Sequence, residues 1–106
     1  MTLYCASTGL TSLDVSGNTK LESLYAYSNK LTSLDVSKCT KLVKLQCSDN
    51  KLTSINVQSN TALMELDCGY NSITTLDVSK NTALTKLTVD TGVTVTGADN
   101  VTIVRQ

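Results

Sequence analysis

The sequence predicts a repeat solenoid: a short right-handed coil, mostly β-strand and irregular chain, with parallel β-strands on its concave face and a β-rich C-terminal cap. The heptapeptide LTSLDVS occupies residues 10–16 and recurs unchanged at 31–37, with close variants at 52–58 and 73–79. The chain of 106 residues contains no Phe, Trp or Pro. Leu, Val, Ile and Cys must therefore fill the interior, which suits many thin layers better than one round core.

The apolar spacing within each repeat predicts a short strand that is entered from a bend. The shared pattern is L-x-x-L-x-V-x-x-N-T-x-L-x-x-L-x-C-x-x-N-x, and its spacing fits neither a 3.6-residue helix nor a long alternating strand. In the second half of a repeat, Leu45 and Cys47 are expected to point inward and Gln46 outward. Stacked copies would bury these side chains as one continuous core. Four units align without gaps: Leu10–Lys30, Leu31–Lys51, Leu52–Ser72 and Ile73–Val93.

Asparagines recur at both turns of the repeat. An amide buried where a coil leaves its strand can satisfy turn backbone groups of its own coil and of adjacent coils. In the second set Cys39 replaces the expected asparagine, so that coil is predicted to have one turn less well satisfied. The first set is Asn29, Asn50 and Asn71, and the second is Asn18, Asn60 and Asn81.

The segment LVKLQCSDNKL (residues 42–52) closely matches L-x-x-L-x-L-x-x-N-x-L, the signature of leucine-rich repeats. The 21-residue period with an inward cysteine resembles bacterial surface leucine-rich repeats of the internalin-like, cysteine-ladder kind. The resemblance covers residues 1 to about 93 and implies an α/β-type leucine-rich-repeat fold. It also implies adhesion or recognition through the strand face, with an extracellular or cell-surface location.

The two ends of the chain depart from the repeat. Residues 3–10 align with 45–52, so the chain begins inside a repeat, either as a fragment of a longer protein or as a natural start with a minimal cap. In both cases the first coil exposes an open edge, which allows edge-to-edge self-association. Residues 94–106 are rich in β-branched residues around a turn and are interpreted as the cap, or alternatively as a linker or the start of another domain. The predicted domains are a solenoid over 1–93, with one partial and four complete repeats, and a β cap over 94–106.

The amino-acid composition argues against several classes of function. Nine basic and nine acidic residues cancel, so neither nucleic acid nor an anionic membrane surface is an expected partner. No apolar run approaches the roughly 20 residues that membrane insertion needs. The chain has no His, which excludes Ser–His and Cys–His nucleophiles. Glu65 and Asp67 share a strand but are interpreted as solvated, so neither an enzyme nor a cofactor is predicted.

The four cysteines do not form a metal-binding pattern. Their spacings contain no C-x-x-C pair, and no His is available to complete a zinc site. Cys5, Cys47 and Cys68 share an inward repeat position and are interpreted as small core residues. Cys47 and Cys68 should lie in adjacent coils, although parallel inward side chains rarely meet disulfide geometry. Cys39, at a turn, is the best candidate for a reactive thiol.

A column of acidic and amide residues runs along the return half of the coil. Calcium is the hard cation that such a column could bind. One carboxylate per coil, without Asp-Gly ligand loops, does not make a dedicated site, because serines and lysines nearby can solvate the column. No metal is therefore predicted. The column consists of Asp14, Asp35, Asn56 and Asp77.

The tyrosines are the most informative surface residues. Tyr4 and Tyr25 share an outward strand column, and Tyr27 lies two residues further along its strand and should face the same way. Tyr70 lies at a strand exit, where its direction stays open. The alternative is that tyrosine is simply a good strand former that stacks across coils. The candidate ligand-binding residues are Tyr4, Tyr25, Tyr27, Lys44, Gln46, Glu65, Asp67 and Tyr70.

These observations predict a recognition scaffold that belongs to a bacterial cell-surface or secreted protein of the adhesion type. The expected partner is a protein or glycan of a host or neighbouring cell, with exposed tyrosines as anchors. The alternative function is a structural spacer without a ligand of its own, which the near-identical repeats and their short polar side chains favour.

Overall fold

The computed structural model describes residues 1–106 as a stack of coils built from eight short β-strands. The structure contains no helix with the length and apolar character that crossing a membrane requires. The strands are β1 (Thr2–Tyr4), β2 (Ser23–Tyr25), β3 (Lys44–Gln46), β4 (Glu65–Asp67), β5 (Thr75–Asp77), β6 (Lys86–Val89), β7 (Thr94–Thr96) and β8 (Thr102–Arg105).

The strands assemble in the order that a solenoid dictates. One sheet has six strands in the order β1-β2-β3-β4-β6-β8, and a second sheet pairs β5 with β7. All pairs are parallel, and from β1 to β6 the six-stranded sheet keeps one register in which Leu24 lies beside Leu45 and Leu45 beside Leu66. Each strand residue thus lies next to its counterpart in the following repeat, which confirms the predicted fold.

The inward side chains form one continuous core. A cluster of 24 buried residues runs through the stack, and Leu45 and Cys47 are fully buried in it as predicted. Burying one such leucine contributes about 1.5–3 kcal/mol. In the second copy of LTSLDVS, Leu31, Leu34 and Val36 are buried, while its Asp and Ser residues are exposed. The heptapeptide therefore recurs because each layer must present the same cross-section to the next.

The first set of asparagines forms an amide ladder at the strand exits. The Asn50 Oδ1 atom accepts the backbone N–H of Leu31 at 3.1 Å. Its Nδ2 group donates to the carbonyls of Ala26, Cys47 and Ser48 at 3.0, 3.1 and 3.1 Å. Asn29 and Asn71 make the equivalent bonds one coil before and one coil after. The predicted role of this set is confirmed.

The second set forms a ladder with one weak step. The Asn60 Nδ2 group donates to the carbonyls of Val36 and Cys39 at 3.0 and 2.9 Å. Cys39, which stands in the asparagine position, makes only one long contact of 3.6 Å, from its Sγ to the Val15 carbonyl. The less well satisfied turn predicted for this coil is thus confirmed.

Each coil turns out of its strand through a residue in the left-handed region. Three of these residues donate their backbone N–H to a carbonyl of the next coil at 3.0–3.1 Å. The N–H of Tyr70 instead bonds to the Asp90 carboxylate at 2.6 Å. The left-handed residues, none of them glycine, are Ser7, Ser28, Asp49 and Tyr70, with φ of 58°, 57°, 54° and 52°.

The C-terminal segment forms one more, shorter coil. β7 pairs in parallel with β5, where Thr75 lies beside Thr94, and β8 pairs in parallel with β6, where Lys86 lies beside Thr102. The two predicted strands are therefore present, and both run in the direction of the stack. Fewer residues separate each of them from its partner strand than separate the strands of successive repeats. The domain boundary at residue 93 stays a prediction. The Arg105 guanidinium ties the segment down by donating to the Val93 carbonyl at 2.9 Å.

Candidate recognition face

The constant register arranges the outward residues of the six-stranded sheet in columns, and we call this surface the strand face. Neighbouring strands lie about 4.8 Å apart, so successive side chains of a column are in contact range. One column is Tyr4, Tyr25, Gln46, Asp67, Thr88 and Val104. The parallel column is Thr2, Ser23, Lys44, Glu65, Lys86 and Thr102.

Three tyrosines, Tyr4, Tyr25 and Tyr27, pack together at one end of the face and form what we call the tyrosine cluster. The ring centroids of Tyr4 and Tyr25 are 5.5 Å apart at an interplanar angle of 35°, and those of Tyr4 and Tyr27 are 6.0 Å apart at 87°. The hydroxyls of Tyr4 and Tyr27 are hydrogen-bonded to each other, and this bond raises the pKa of Tyr27. Tyr4 is 65% exposed. The cluster is therefore a fixed aromatic surface open to solvent.

Lys44 connects the tyrosine cluster to the next coils. Its Nζ lies 5.9 Å from the centroid of the Tyr25 ring, within cation–π range, and 3.2 Å from Glu65 Oε2. The hydrogen bond to Glu65 and the charge of that carboxylate raise the pKa of Lys44, with a smaller contribution from Tyr25. Such an exposed ion pair adds little to stability. Its effect is to place the ammonium group between an aromatic ring and a carboxylate.

Polar side chains surround a small depression further along the face. The depression has a volume of about 50 Å³ and is lined by Gln46, Glu65 and Asp67 together with Lys86 and Thr88. The Asp67 carboxylate also accepts the backbone N–H of Gly69 at 3.2 Å, which fixes its orientation. The volume suits a single polar group of a partner better than a whole small molecule.

Tyr70 stands apart from the other candidate residues. Its side chain is 63% exposed at the strand exit, and its ring contacts none of the other three tyrosine rings. The structure therefore brings three of the eight candidates into the tyrosine cluster and places Lys44, Gln46, Glu65 and Asp67 beside it along the face. Tyr70 lies at the rim.

Sequence reasoning missed how the last coil extends the face. Val104 continues the tyrosine column, and Thr88, expected to point outward, is only 7% exposed because β8 pairs alongside it. The shortened spacing from Lys86 to Thr102 cannot be read from the period of the repeats. The run of three β-branched residues TIV (102–104) was the only available signal.

The acidic column of the return half has a structural role that the sequence analysis does not assign. The Oδ1 atoms of Asp14, Asp35 and Asp77 accept the backbone N–H of the serine two residues later at 2.9, 2.9 and 2.8 Å. The Oδ1 atom of Asn56 accepts the backbone N–H of Gln58 in the same way at 3.0 Å. Hydrogen bonding to that serine, first through its side chain and then through its backbone, lowers the pKa of all three aspartates. The column therefore consists of Asx turns.

All four cysteines are free, and three of them are buried. Burial raises the pKa of Cys68 to about 12 and that of Cys47 well above its usual value. The prediction of a reactive thiol at Cys39 is wrong, because this side chain is fully buried and burial raises its pKa as well. The prediction assumed that a residue at a turn is accessible to solvent, but the Cys39 side chain points into the core.

Comparison with known proteins agrees with this geometry. The family "Leucine Rich repeats (2 copies)" matches residues 19–60. The functional domain of InlJ from Listeria monocytogenes, which includes a cysteine ladder, is similar to 94% of the chain at 36% identity and a TM-score of 0.81. The internalin InlF from Listeria monocytogenes strain 4b F2365 is similar in fold to 84% of the chain, at 21% identity and a TM-score of 0.60.

The chain spans 26% of the InlJ structure and 36% of the InlF structure. No protein of curated function matches it in sequence. The repeats, the strand register and the inward cysteines identify the chain as an internalin-like leucine-rich-repeat protein of the cysteine-ladder kind.

Proposed function

We propose that this chain is a recognition scaffold that binds a protein or glycan of a host or neighbouring cell through its strand face. We further propose that it acts as part of a bacterial cell-surface or secreted protein of the adhesion type. The internalin-like fold supports a protein-recognition role in general. The adhesion role and the extracellular location rest on the resemblance to the Listeria proteins.

The tyrosine cluster is the observation that carries this proposal. Three of the four aromatic residues of the chain lie together on one outward surface, although the core contains no aromatic side chain at all. Tyrosine supplies rigid contact area and a polar tip, and it is enriched among the residues that dominate binding energy. The hydroxyl bond between Tyr4 and Tyr27 and the contact of Lys44 with Tyr25 hold this surface in place before a partner arrives.

The adjoining polar groups would define the orientation of the partner. The depression lies one to three strands from the tyrosine cluster, which corresponds to roughly 5–15 Å. A partner that lays a planar or apolar group on the tyrosines would therefore present a polar group to Gln46, Glu65 and Asp67. Tyr70, at the rim, would add a contact only for a larger partner.

The direct test is binding of the chain to a glycan array and to a panel of host extracellular proteins. The double variant Tyr25→Ala, Tyr27→Ala removes two rings that are outside the core, so it should keep the far-UV circular dichroism spectrum of the wild type. We expect its affinity for any ligand of the wild type to fall by at least about tenfold. The double variant Tyr4→Phe, Tyr27→Phe keeps the rings but removes the hydroxyl bond, and it separates stacking from hydrogen bonding.

Tyr70→Ala is the matched control, because it removes an exposed tyrosine outside the tyrosine cluster. Equal losses for Tyr70→Ala and the cluster variant would contradict a site centred on the tyrosine cluster. If the wild type binds nothing in either panel, the spacer function replaces the recognition function. The spacer is favoured by one observation: the acidic side chains of the return half are committed to turns.

Self-association is a further proposed interaction. β1 and β8 form the two edges of the six-stranded sheet, and each has a side without a neighbouring strand. Such edges pair with other chains unless they are protected. Light scattering over a concentration series tests this, and a monodisperse monomer at the highest concentration would contradict it.

A further inference from the structure

From β2 to β4, each strand presents only two outward side chains to the strand face. Each of these strands has three residues, and the middle one is buried. The two outward residues of a strand lie about 6.6 Å apart, since they are two positions apart along an extended chain. The length of the strands sets this width, so the width is the same however many coils are stacked. It suits one extended polymer that lies across the strands better than a folded domain, whose interface typically covers about 800 Å².

The strand face offers side chains to a ligand but no free backbone groups. Within the sheet, the strands from β2 to β6 each have a neighbour on both sides, and their N–H and C=O groups bond to those neighbours. An extended peptide therefore cannot add to the sheet here as a further strand, and its recognition would require pockets for its side chains. The depression is small, at about 50 Å³. From β1 to β6 the outward columns contain no Ala, Val, Leu or Ile to hold an apolar side chain.

The charges around the depression cancel. The carboxylates of Glu65 and Asp67 are matched by the ammonium groups of Lys44 and Lys86. Asp90, which follows β6, is already committed to two backbone N–H groups. A ligand with a net charge would therefore meet no complementary net charge at the depression, whereas a neutral ligand loses nothing there.

The same side chains require a ligand group that both donates and accepts hydrogen bonds. The carboxylates of Glu65 and Asp67 only accept. The Lys86 ammonium only donates, and the Gln46 amide does both. One oxygen of each carboxylate is already used, because Glu65 Oε2 lies 3.2 Å from Lys44 Nζ and Asp67 Oδ1 accepts a backbone N–H at 3.2 Å. The other oxygens are free to accept from hydroxyl groups, which donate and accept through one atom.

The tyrosine cluster supplies the apolar part of the same surface. In the order of the strands, Tyr25 has Tyr4 on one side and Lys44 on the other. Tyr4 is far more exposed than a packed ring, at 65%, and it lies at the outer end of the cluster. A sugar ring carries apolar C–H groups as well as hydroxyls, so it matches a surface on which phenol rings adjoin carboxylates and an amide.

We propose that the strand face binds a neutral, linear oligosaccharide that lies across the strands. One sugar packs against the tyrosine cluster, and another places its hydroxyls at the depression, roughly 5–15 Å away. This inference rests on the proposed recognition function and names the ligand class for it. Membership of the fold family does not decide between a protein and a glycan, because function depends on the site.

The test is titration calorimetry of the whole chain with neutral linear oligosaccharides of glucose, mannose, galactose and N-acetylglucosamine, each as a series from the monosaccharide to the hexasaccharide. In the series that binds, we expect affinity to rise at least about tenfold with chain length and to level off once the chain reaches both the tyrosine cluster and the depression. The affinity should change by less than about twofold between about 50 mM and 500 mM NaCl, because no net charge is screened.

Asp67→Asn preserves the size of the side chain and its Oδ1 acceptor but replaces the free carboxylate oxygen with a donor. It should weaken binding by about tenfold. Asp35→Asn is the matched control, because it makes the same change on the return half, where Asn56 shows that an amide supports the turn. It should bind as the wild type does. Tyr4→Ala should weaken binding severalfold, and far-UV circular dichroism should show that all three variants are folded.

The possible outcomes separate this inference from the proposed function. If the chain binds only proteins or peptides in the panels of the previous section, the inference is overturned and the recognition function stands. Preference for sialylated or sulfated oligosaccharides over neutral ones overturns the inference in the same way. Equal affinities of Asp67→Asn and Asp35→Asn for a neutral oligosaccharide also overturn it, since the ligand would then bind elsewhere. If nothing binds, both proposals are wrong.

Discussion

In the regular coils (residues 10–89) neighbouring strands of the six-stranded sheet keep the register of the repeat, whereas in the last coil (residues 90–106) the spacing shortens twice. It shortens first where Thr75 pairs with Thr94, and further where Lys86 pairs with Thr102. The regular coils satisfy their turns by repetition, because the ladder asparagines from Asn29 to Asn81 each bond to the coil before them. The last coil contains Asn100, which the register of β5 and β7 places opposite Asn81, but its side chain makes no hydrogen bond to the stack, and other groups take over that role.

The substitutes in the last coil are charged side chains. The Asp90 carboxylate accepts the N–H of Tyr70 at 2.6 Å, where earlier coils use a backbone carbonyl, and it also accepts the N–H of Asn71 at 3.0 Å. Arg105 donates to the Val93 carbonyl within the last coil itself, which closes that coil. The comparison teaches that a solenoid needs one set of groups to propagate and another to stop. The propagating set repeats in the sequence, and the stopping set does not.

The substitution with the largest expected effect on the free energy of unfolding, Gly97→Ala, tests how tightly the last coil packs against the stack. Gly97 has a φ of 83°, and a Cβ atom there would lie 2.5 Å from Ser79 Cα. Gly97→Ala should destabilise the chain by about 3 kcal/mol, from left-handed strain and overpacking together. Gly17→Ala in a regular coil meets no atom within 4 Å and serves as the control. Guanidinium denaturation measures both, and an equal effect for the two would show that the last coil does not press on Ser79.

The next prediction compares the loss of stability when a turn loses its asparagine amide with the loss when a turn loses its aspartate carboxylate. Asn50→Ala in a regular coil leaves the Leu31 N–H and three carbonyls without their amide partner and should cost about 2–3 kcal/mol. Asp90→Asn in the last coil keeps one acceptor oxygen and should cost about 1 kcal/mol. Urea denaturation of both variants gives the difference. A larger loss for Asp90→Asn would mean that the stopping groups carry more stability than the ladder.

A gain of stability is expected where a regular coil departs from its own rule. Cys39→Asn restores the amide that would reach the carbonyls of Val15 and Asn18, and it should stabilise the fold by about 1 kcal/mol. Cys47→Asn is the control, because it places an amide at an inward strand position without a turn to receive it. That variant should be destabilised. A loss of stability in Cys39→Asn would show that the site is too small for the amide.

The smallest effect concerns pH and the Asx turns. The folded-state pKa of Asp14, Asp35 and Asp77 is lowered. Their contribution is therefore fully present above the unfolded-state value of about 3.9 and is lost as the pH falls through the folded-state value. The triple Asp→Asn variant should keep its turns, as Asn56 does, and should lose less stability than the wild type on acidification. Denaturation curves from about pH 3 to pH 7 measure this slope.

Sequence reasoning was most successful where residues repeat. The inward positions of Leu45 and Cys47, the shared column of Tyr4 and Tyr25 and the role of Asn50 all follow from one period, because identical layers must stack in register. The period could not reveal that the Cys39 side chain is buried in the core, because the spacing of residues along the chain does not show whether a side chain at a turn points inward or outward. The Asx turns have a signal in the D-x-S spacing, but the same spacing also fits a solvated surface column.

The candidate sites were predicted less completely than the fold. The period placed Tyr27 on the correct face, but the hydroxyl bond to Tyr4 depends on side-chain rotation across two coils. A cavity between the fourth repeat and the last coil is lined by residues of both, among them Asn81 and Asp99, and the connection from β7 to β8 beside it is shorter than the connection from β5 to β6. Such contacts depend on where two different loops end in space, and no local pattern encodes that.

The left-handed residues at the strand exits have a consequence for how the protein can evolve. For residues other than glycine, this conformation costs roughly 1–2 kcal/mol, and glycine or asparagine adopts it more readily. Ser7, Ser28, Asp49 and Tyr70 are therefore separate positions at which one mutation would make the chain more robust without altering the core. A lineage that accumulates destabilising changes on its strand face, while it adapts to a new partner, has compensating mutations within reach in four successive turns.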